Sequence, residues 1–343
     1  MSDIKISIKN LYKIYGNNPN AMLQNILDGC TKKNLLEKYN HVLGLNNINI
    51  DIEARGIHVI MGLSGSGKST FIRHINRLIE PTSGNIIVDG QNVIDMSKGE
   101  LRAFRRHKAS MVFQKFGLLP HKTIMQNVAY GLLIQKNDDI DSNKKSQKWI
   151  DKVGLTGFEN NYPYQLSGGM QQRVGLARAL ATNADILLMD EAFSSLDPLI
   201  RTNMQDVLLN LQEELHKTVI FITHDINEAL RIADKISILR DGEIIQTGNP
   251  QDIILKPEND YIRDFIKDIN RGRVIKVSYI MEKTNVVKGP KVLSSMNIEE
   301  ALPIIAAAVN SFVSVVDKND RIIGKVSLDM AISAISPLSN YKN

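Results

Sequence analysis

Residues 62–69 read Gly-Leu-Ser-Gly-Ser-Gly-Lys-Ser, the G-x-x-x-x-G-K-[ST] spacing of a loop that cradles nucleotide phosphates. Gly62, Gly65 and Gly67 carry no Cβ, so backbone N–H groups can close around an anion. A helix opening near Lys68 would aim the positive end of its dipole at the same anion. The Lys68 ammonium then reaches the β- and γ-phosphates, and the Ser69 hydroxyl can hold Mg²⁺. Ser64, Ser66 and Thr70 complete the expected nucleotide-binding stretch. A second reactive group lies downstream, where the apolar run 186–189 ends in Asp190-Glu191. At the end of a strand, Asp190 can bind Mg²⁺ directly or through water, and Glu191 can polarise an attacking water.

Such groups need a strand–loop–helix frame. His58-Val59-Ile60-Met61 reads as a buried strand, and residues 70–75 open a helix. Ile4, Ile6 and Ile8 alternate with polar residues, as do Ile48, Ile50 and Ile52, so both runs predict half-buried strands. Residues 17–41 are polar and partly helical (21–27) and interrupt those strands like an insertion. A turn at 81–84, a strand at 85–90, a basic helix at 97–108 and a strand at 111–113 follow. Residues 116–165 turn helical, which predicts a helical subdomain inserted in an α/β core. The alternation then resumes: helix 168–181, strand 186–189, helix 198–216, strand 219–222, helix 226–233, and a hairpin on Asp241-Gly242. Strand–helix alternation implies a largely parallel sheet with helices packed on it. Beyond about residue 270 the composition shifts. Asn297 with Glu300 starts a helix over 298–309 that Pro303 should kink or break. Two strands, 312–316 and 321–326, flank Asp317-Lys318-Asn319-Asp320. The expected organisation is a nucleotide-binding domain over 1–268, with its helical subdomain at about 116–165, and a small α+β domain over 269–343.

Length alone, 343 residues, suggests two domains. A net charge of +5 suits an acidic partner or an anionic membrane surface, or only a slightly biased solvated surface, and is too small to argue for nucleic acid. Cys30 is the one cysteine, so an intrachain disulfide or a cysteine zinc cluster is excluded and a reducing, cytoplasmic setting fits. The first residues lack the apolar core of a signal peptide. No apolar run approaches the ~20 residues of a membrane span. If the chain serves transport, other subunits must supply the membrane path.

Leu166-Ser167-Gly168-Gly169-Met170-Gln171-Gln172-Arg173 is a signature by which the chain resembles the ATP-binding subunits of ABC transporters. The resemblance implies an α/β fold: a P-loop ABC ATPase core with an inserted helical subdomain. It implies ATP and Mg²⁺ as cofactors and a homodimer that sandwiches ATP head-to-tail. Each P-loop would face the partner's Ser167, Gly168 and Gly169, which grip the γ-phosphate. Gln114 is similar to the glutamine that joins the Mg²⁺ shell, beside Ser69 and Asp190, and senses the membrane subunits. Ser194-Ser195-Leu196-Asp197 resembles the loop that crosses the dimer interface, with Asp197 near the nucleotide. His224 is similar to the switch histidine, the alternative being a polar loop residue. Tyr15 matches the aromatic that stacks on adenine, with Tyr12 a weaker match, and either could instead serve packing. Catalysis would then rest on Glu191, His224, Lys68 and Gln114.

Three parts resemble the ATPase subunit of glycine betaine/proline betaine importers: the insertion at 17–41, the stretch 166–180 with Met170 after the glycines, and the tail, which looks like a regulatory CBS-type module. This implies a peripheral subunit at the cytoplasmic face of the plasma (inner) membrane. Its partners would be two membrane-spanning permease subunits and a periplasmic or lipid-anchored substrate-binding protein, with no nucleic acid. One tail copy is visible where such importers often carry two, so a CBS pair would have to form across the dimer. The tail could equally be a packing module without a ligand. Arg271, Arg273, Lys276, Lys283, Lys288 and Lys291 could dock on anionic lipid and release at high ionic strength, or form a solvated linker. Two readings compete within the ABC class: an importer for an amino acid or polyamine, and a soluble ATPase acting on ribosomes or DNA. One P-loop, no long heptad run and one cysteine speak against the second. A regulatory binding module is a further reading, opposed by the complete set Lys68, Asp190, Glu191 and His224.

Overall fold

Isoleucine alternation builds the first strand. In β1 (Ile4–Tyr15), Ile6, Ile8, Leu11 and Ile14 point inward and are fully buried. The computed structural model describes residues 3–194, 196–285, 289–308 and 312–336; Ser195 and Lys288, singled out above, lie outside them. The insertion carries α1 (Leu23–Leu27) and α2 (Lys32–Tyr39) and leads into β2 (Val42–Glu53), which pairs antiparallel with β1. Its small core of Ile14, Ile26, Leu35 and Leu43 also takes Tyr12. β3 (Ile57–Met61) is buried along its whole length and runs into the P-loop and α3 (Lys68–Ile75). Next come β4 (Ser83–Val88), β5 (Gln91–Asn92), α4 (Lys98–His107), whose first turn is closed by a Ser97–Glu100 capping box, and β6 (Ala109–Val112). Helices α5 (Ile124–Ile134), α6 (Asp139–Lys152) and α7 (Gly168–Ala181) follow. The sequence placed α7 in the α/β alternation, yet it packs against both α5 and α6 as well as β6. Then come β7 (Ile186–Asp190), α8 (Pro198–Leu215), β8 (Thr218–Thr223), α9 (Ile226–Ile232), β9 (Lys235–Arg240) and β10 (Glu243–Gly248).

These strands form two sheets, where the sequence suggested one largely parallel sheet. An antiparallel sheet has the order β2-β1-β4-β5, and a six-stranded sheet the order β10-β9-β3-β8-β7-β6. Burial explains the split. Strands β1 and β2 bury one face and suit an antiparallel sheet, whereas β3, β7 and β8 are buried on both faces and pair in parallel. One apolar core, including Ile6, Ile48, Phe71, Leu188 and Ile220, joins the two sheets. Parallel register sets Met61 beside Thr223, Asp190 beside Ile222 and Val112 beside Met189. The P-loop, Asp190-Glu191, Gln114 and His224 therefore all leave the same edge of the sheet, where ligands bind in open α/β sheets.

The chain divides into two compact units: residues up to Asp225 with Ile232–Ile245, and Ile226–Arg231 with the chain from Gln246 onward. The expected boundary at 268/269 falls inside the second unit. There α10 (Pro250–Leu255), α11 (Asp260–Ile266), α12 (Arg271–Val274) and α13 (Val277–Ile280) precede β11 (Glu282–Lys283), β12 (Lys291–Leu293), α14 (Ile298–Ala307), β13 (Phe312–Val316), β14 (Ile322–Ser327) and α15 (Leu328–Ile335). The sheet order is β11-β14-β13-β12, with β12 parallel to β13 and β14 antiparallel to it. Helix α14 runs on past Pro303, so the break that was one of two expectations there does not occur. The Asn297–Glu300 capping box secures its first turn, and buried Ile298, Ala301 and Ile305 hold one face in the core. Of the basic residues singled out, Arg273, Lys276, Lys283 and Lys291 are exposed, and three of the set are engaged within the unit. Arg271 is buried and donates to Ser336 O, Arg273 bonds Glu299, and Lys291 pairs with Asp320. Among the described residues no helix is long and apolar enough to cross a membrane.

Candidate functional site

The P-loop is shaped by close approaches that exclude side chains. A Cβ on Gly62 would lie 2.1 Å from Leu239 O, and one on Gly67, at φ +105°, would lie 2.6 Å from Gly44 O. Lys68, 4% exposed, folds back over the loop and donates to Gly62 O and Leu63 O, both at 2.9 Å. Burial lowers its pKa, opposed by the charges of Glu191 and Asp190. The Ser69 hydroxyl donates to Asp190 Oδ1 at 2.7 Å, and Arg73 donates to Oδ2 at 3.0 Å. Fully buried Asp190 thus has a partner on each oxygen.

Glu191 sits one residue past β7 at φ +46°, a left-handed conformation in which non-glycine residues are uncommon. Its N–H bonds Ile222 O, and Ser194 N and Oγ both donate to its carbonyl. This turn aims the carboxylate back at the P-loop. Glu191 Oε1 is 3.9 Å from Lys68 Nζ, and Oε2 accepts from Gln114 Nε2 at 3.1 Å. His224 Nδ1 lies 3.6 Å from the same oxygen, beyond hydrogen-bond reach, and its side chain is largely exposed. One carboxylate therefore gathers three of the residues singled out from the sequence.

Lys68, Gln114 and Glu191 line a cleft of about 400 Å³ together with Tyr15, Ser64, Gly65, Gly67, Ser69 and Thr70; Asp190 and His224 lie outside its lining. The Tyr15 hydroxyl is 3.2 Å from Thr70 Oγ1, and Lys13 Nζ lies 4.9 Å from the Tyr15 ring centre. Tyr15 thus faces the cleft, while Tyr12 packs on the core of the insertion. Gly62 and Ser66 do not line the cleft. Ser66 is buried, its hydroxyl has no partner among the described residues, and its carbonyl accepts from Gly242 N at 3.0 Å.

Ser167, Gly168 and Gly169 do not line it either. Ser167 caps α7 by accepting from Met170 N at 3.3 Å, and both it and Gly168 are exposed. Asp197 sits at the N-cap of α8 without making a side-chain cap bond.

Four residues that sequence reasoning missed matter here. Lys32, from α2, lines the cleft. Gly44 lets the Tyr15 ring lie against β2, since a Cβ there would be 2.7 Å from the ring. Arg178, on α7, donates to Gly117 O at 2.6 Å and Phe116 O at 3.0 Å, just after Gln114. Buried Asn127 accepts from Leu119 N and donates to Leu119 O, Lys122 O and Thr123 O. The loop after Gln114 is held at both ends. In the sequence only Gly117, followed closely by Pro120, hinted at a turn there.

The cleft has what a nucleotide triphosphate requires: an ammonium, glycine-rich backbone, and an aromatic ring at the far side. Ser69 and Gln114 in its lining, with Asp190 bonded behind Ser69, are oxygen donors that suit a hard cation such as Mg²⁺. Among the described residues no group of three His, Cys, Asp or Glu forms a metal cage, so phosphate and water would supply the remaining ligands.

Comparison with known proteins agrees with this geometry. Residues 45–194 match the family model for the ABC transporter. The chain is 47% identical to the glycine betaine transport ATP-binding protein OpuAA of Bacillus subtilis, over 98% of this chain and 79% of that one. It is 44% identical to the glycine betaine/proline betaine transport system ATP-binding protein ProV of Escherichia coli, over 97% of this chain and 83% of that one. A solved dimeric ATP-binding cassette in a post-hydrolysis state, bound to ADP and Pi, superposes with a TM-score of 0.61 at 34% identity, covering 71% of this chain and 98% of the other. The chain belongs to the ABC transporter family, among the ATP-binding proteins of glycine betaine/proline betaine transport systems.

Proposed function

We propose that this chain hydrolyses ATP to drive uptake of a quaternary-amine osmolyte such as glycine betaine. It would act as a homodimer on separate membrane-spanning subunits, at the cytoplasmic face of the membrane, with a substrate-binding protein delivering the solute. The observation that carries the reading is the convergence of Lys68, Gln114 and His224 on the Glu191 carboxylate beside the Ser69–Asp190 pair.

Hydrolysis needs positive charge on the γ-phosphoryl group and a water placed in line with it. Lys68 gives up its bonds to Gly62 O and Leu63 O for phosphate oxygens. Glu191, fixed by its turn, orients the water and draws off a proton. Gln114 steadies that carboxylate, and His224 joins it once the phosphate is in place. Mg²⁺, held by Ser69, Asp190 and Gln114, would neutralise phosphate charge. Tyr15 offers its ring to the adenine. Ser167, Gly168 and Gly169 of a second copy would close the open side. The β12-α14-β13-β14-α15 order of the second unit supports a CBS-like regulatory role for the tail.

The test is reconstitution with membrane and substrate-binding subunits. Glycine betaine should stimulate ATPase activity and accumulate, and Glu191→Gln should abolish both. Activity that ignores betaine but answers an amino acid or polyamine would keep the mechanism and replace the substrate.

A further inference from the structure

The insertion between β1 and β2 does more than decorate the sheet edge. We propose that Lys32, on α2, is a nucleotide-binding residue that offers its ammonium to the phosphate chain of ATP at the mouth of the cleft. The inference rests on the ATP-binding reading above and adds a contact that the P-loop motif does not contain.

Lys32 lines the same cleft as Lys68, Ser69, Thr70 and Tyr15. Its position is fixed from three sides. Thr31 Oγ1 accepts from Asn34 N and caps α2 at the residue before Lys32. Leu35, fully buried, anchors the helix in the insertion core. His41 sits between Tyr39 O and Asn17 O, at 2.5 and 2.6 Å, and so ties the end of the insertion to its beginning.

The Lys32 ammonium pairs with Asp241 Oδ1 at 3.2 Å, with side chains 37% and 67% exposed. Asp241 belongs to the β9–β10 turn, which is itself tied to the P-loop, where Gly242 N donates to Ser66 O, and to β2, where Asn46 N donates to Gly242 O. The turn thus parks Lys32 next to the phosphate loop. Asp241 also faces Arg240 Nε at 3.6 Å, so it keeps a cation nearby when Lys32 leaves. An exposed pair of this kind contributes little. A polyphosphate carries more charge than one carboxylate and draws the flexible lysine away from Asp241.

Binding of a fluorescent ATP analogue to the purified full-length chain tests this. Lys32→Ala should weaken affinity about three- to tenfold at low salt, with the difference shrinking as salt rises. Lys32→Arg should keep most of the affinity. Asp241→Asn should leave affinity unchanged or tighten it, because it releases Lys32 and removes a negative charge. In the assembled transporter Lys32→Ala should raise KM for ATP more than it lowers kcat. Wild-type affinity in Lys32→Ala would overturn the proposal. Equal weakening in Lys32→Ala and Asp241→Asn would also overturn it, showing a lysine that only ties α2 to the turn. Lys68→Ala serves as reference: if it binds like wild type, the nucleotide-site reading fails rather than the role of Lys32.

Discussion

The P-loop face and the N-terminus of α7 are built on opposite terms. On the first, several reactive groups already have a partner within the chain: Lys68 on loop carbonyls, Ser69 and Arg73 on Asp190, Gln114 on Glu191, while His224 stays beyond hydrogen-bond reach of Glu191. On the second, Ser167 caps only its own helix, and Gly168 stands exposed beside it. The same sequence thus makes one face whose polar groups engage each other within the chain and one whose helix N-terminus stays exposed. A half-site whose donors point to solvent is what a head-to-tail pairing of two chains would use.

Changes on each face should fail differently. Glu191→Gln keeps the hydrogen-bonding shape but loses the base, so turnover should drop about 10²–10⁴-fold with ATP binding kept. Gly168→Asp probes the waiting face. The nearest atom to a Cβ there is Phe116 Cζ at 3.9 Å, so the single chain accommodates it. Its carboxylate would meet the γ-phosphate of the other chain, and turnover should fall roughly 10²-fold while the melting temperature and monomer ATP affinity hold. A lowered melting temperature would show a packing role for Gly168.

Acid should act through the scaffold behind the P-loop. Burial pushes His58 on β3 and His74 on α3 each down to about 4. An unfolded chain therefore binds more protons between pH 4 and 6.5. Their contribution is complete above pH 6.5 and is lost as pH falls toward 4, on the order of 3 kcal/mol for each. Urea midpoints across that range check this, and replacing His58 with glutamine should flatten part of the slope.

Arg178 joins the two faces, since it lies on α7 and grips the loop that follows Gln114. Arg178→Ala should cost about 2–3 kcal/mol, because two carbonyls lose a charged donor. If that loop positions Gln114, turnover should fall further than the stability loss explains, and Arg178→Lys should restore only part of it. A variant that loses stability but keeps turnover would leave Arg178 a packing residue.

Much of the site was legible. The P-loop, Asp190-Glu191 and Gln114 are short motifs at strand ends, and parallel register brings strand ends together. Other features depend on tertiary contacts that have no local pattern. Ser66 turns inward because Gly242 claims its carbonyl. Lys32 reaches the cleft because Leu35 pins α2. Arg178 looks like any helix arginine until the backbone of Phe116 and Gly117 comes under it. Two-residue β11 and three-residue β12 offer too few positions for alternation to show, and the split into two sheets follows from burial on one face or two.

The central claim is that the two half-sites complete each other between chains. Mixing Lys68→Ala chains with Gly168→Asp chains tests it directly, by single-turnover hydrolysis on heterodimers isolated with two affinity tags. Either variant alone should show a burst reduced roughly 10²-fold or more. Each heterodimer should hold one intact site, from the Lys68 loop of one chain and the Gly168 face of the other, and give roughly half the wild-type burst. Heterodimers that form but show no burst would contradict the account.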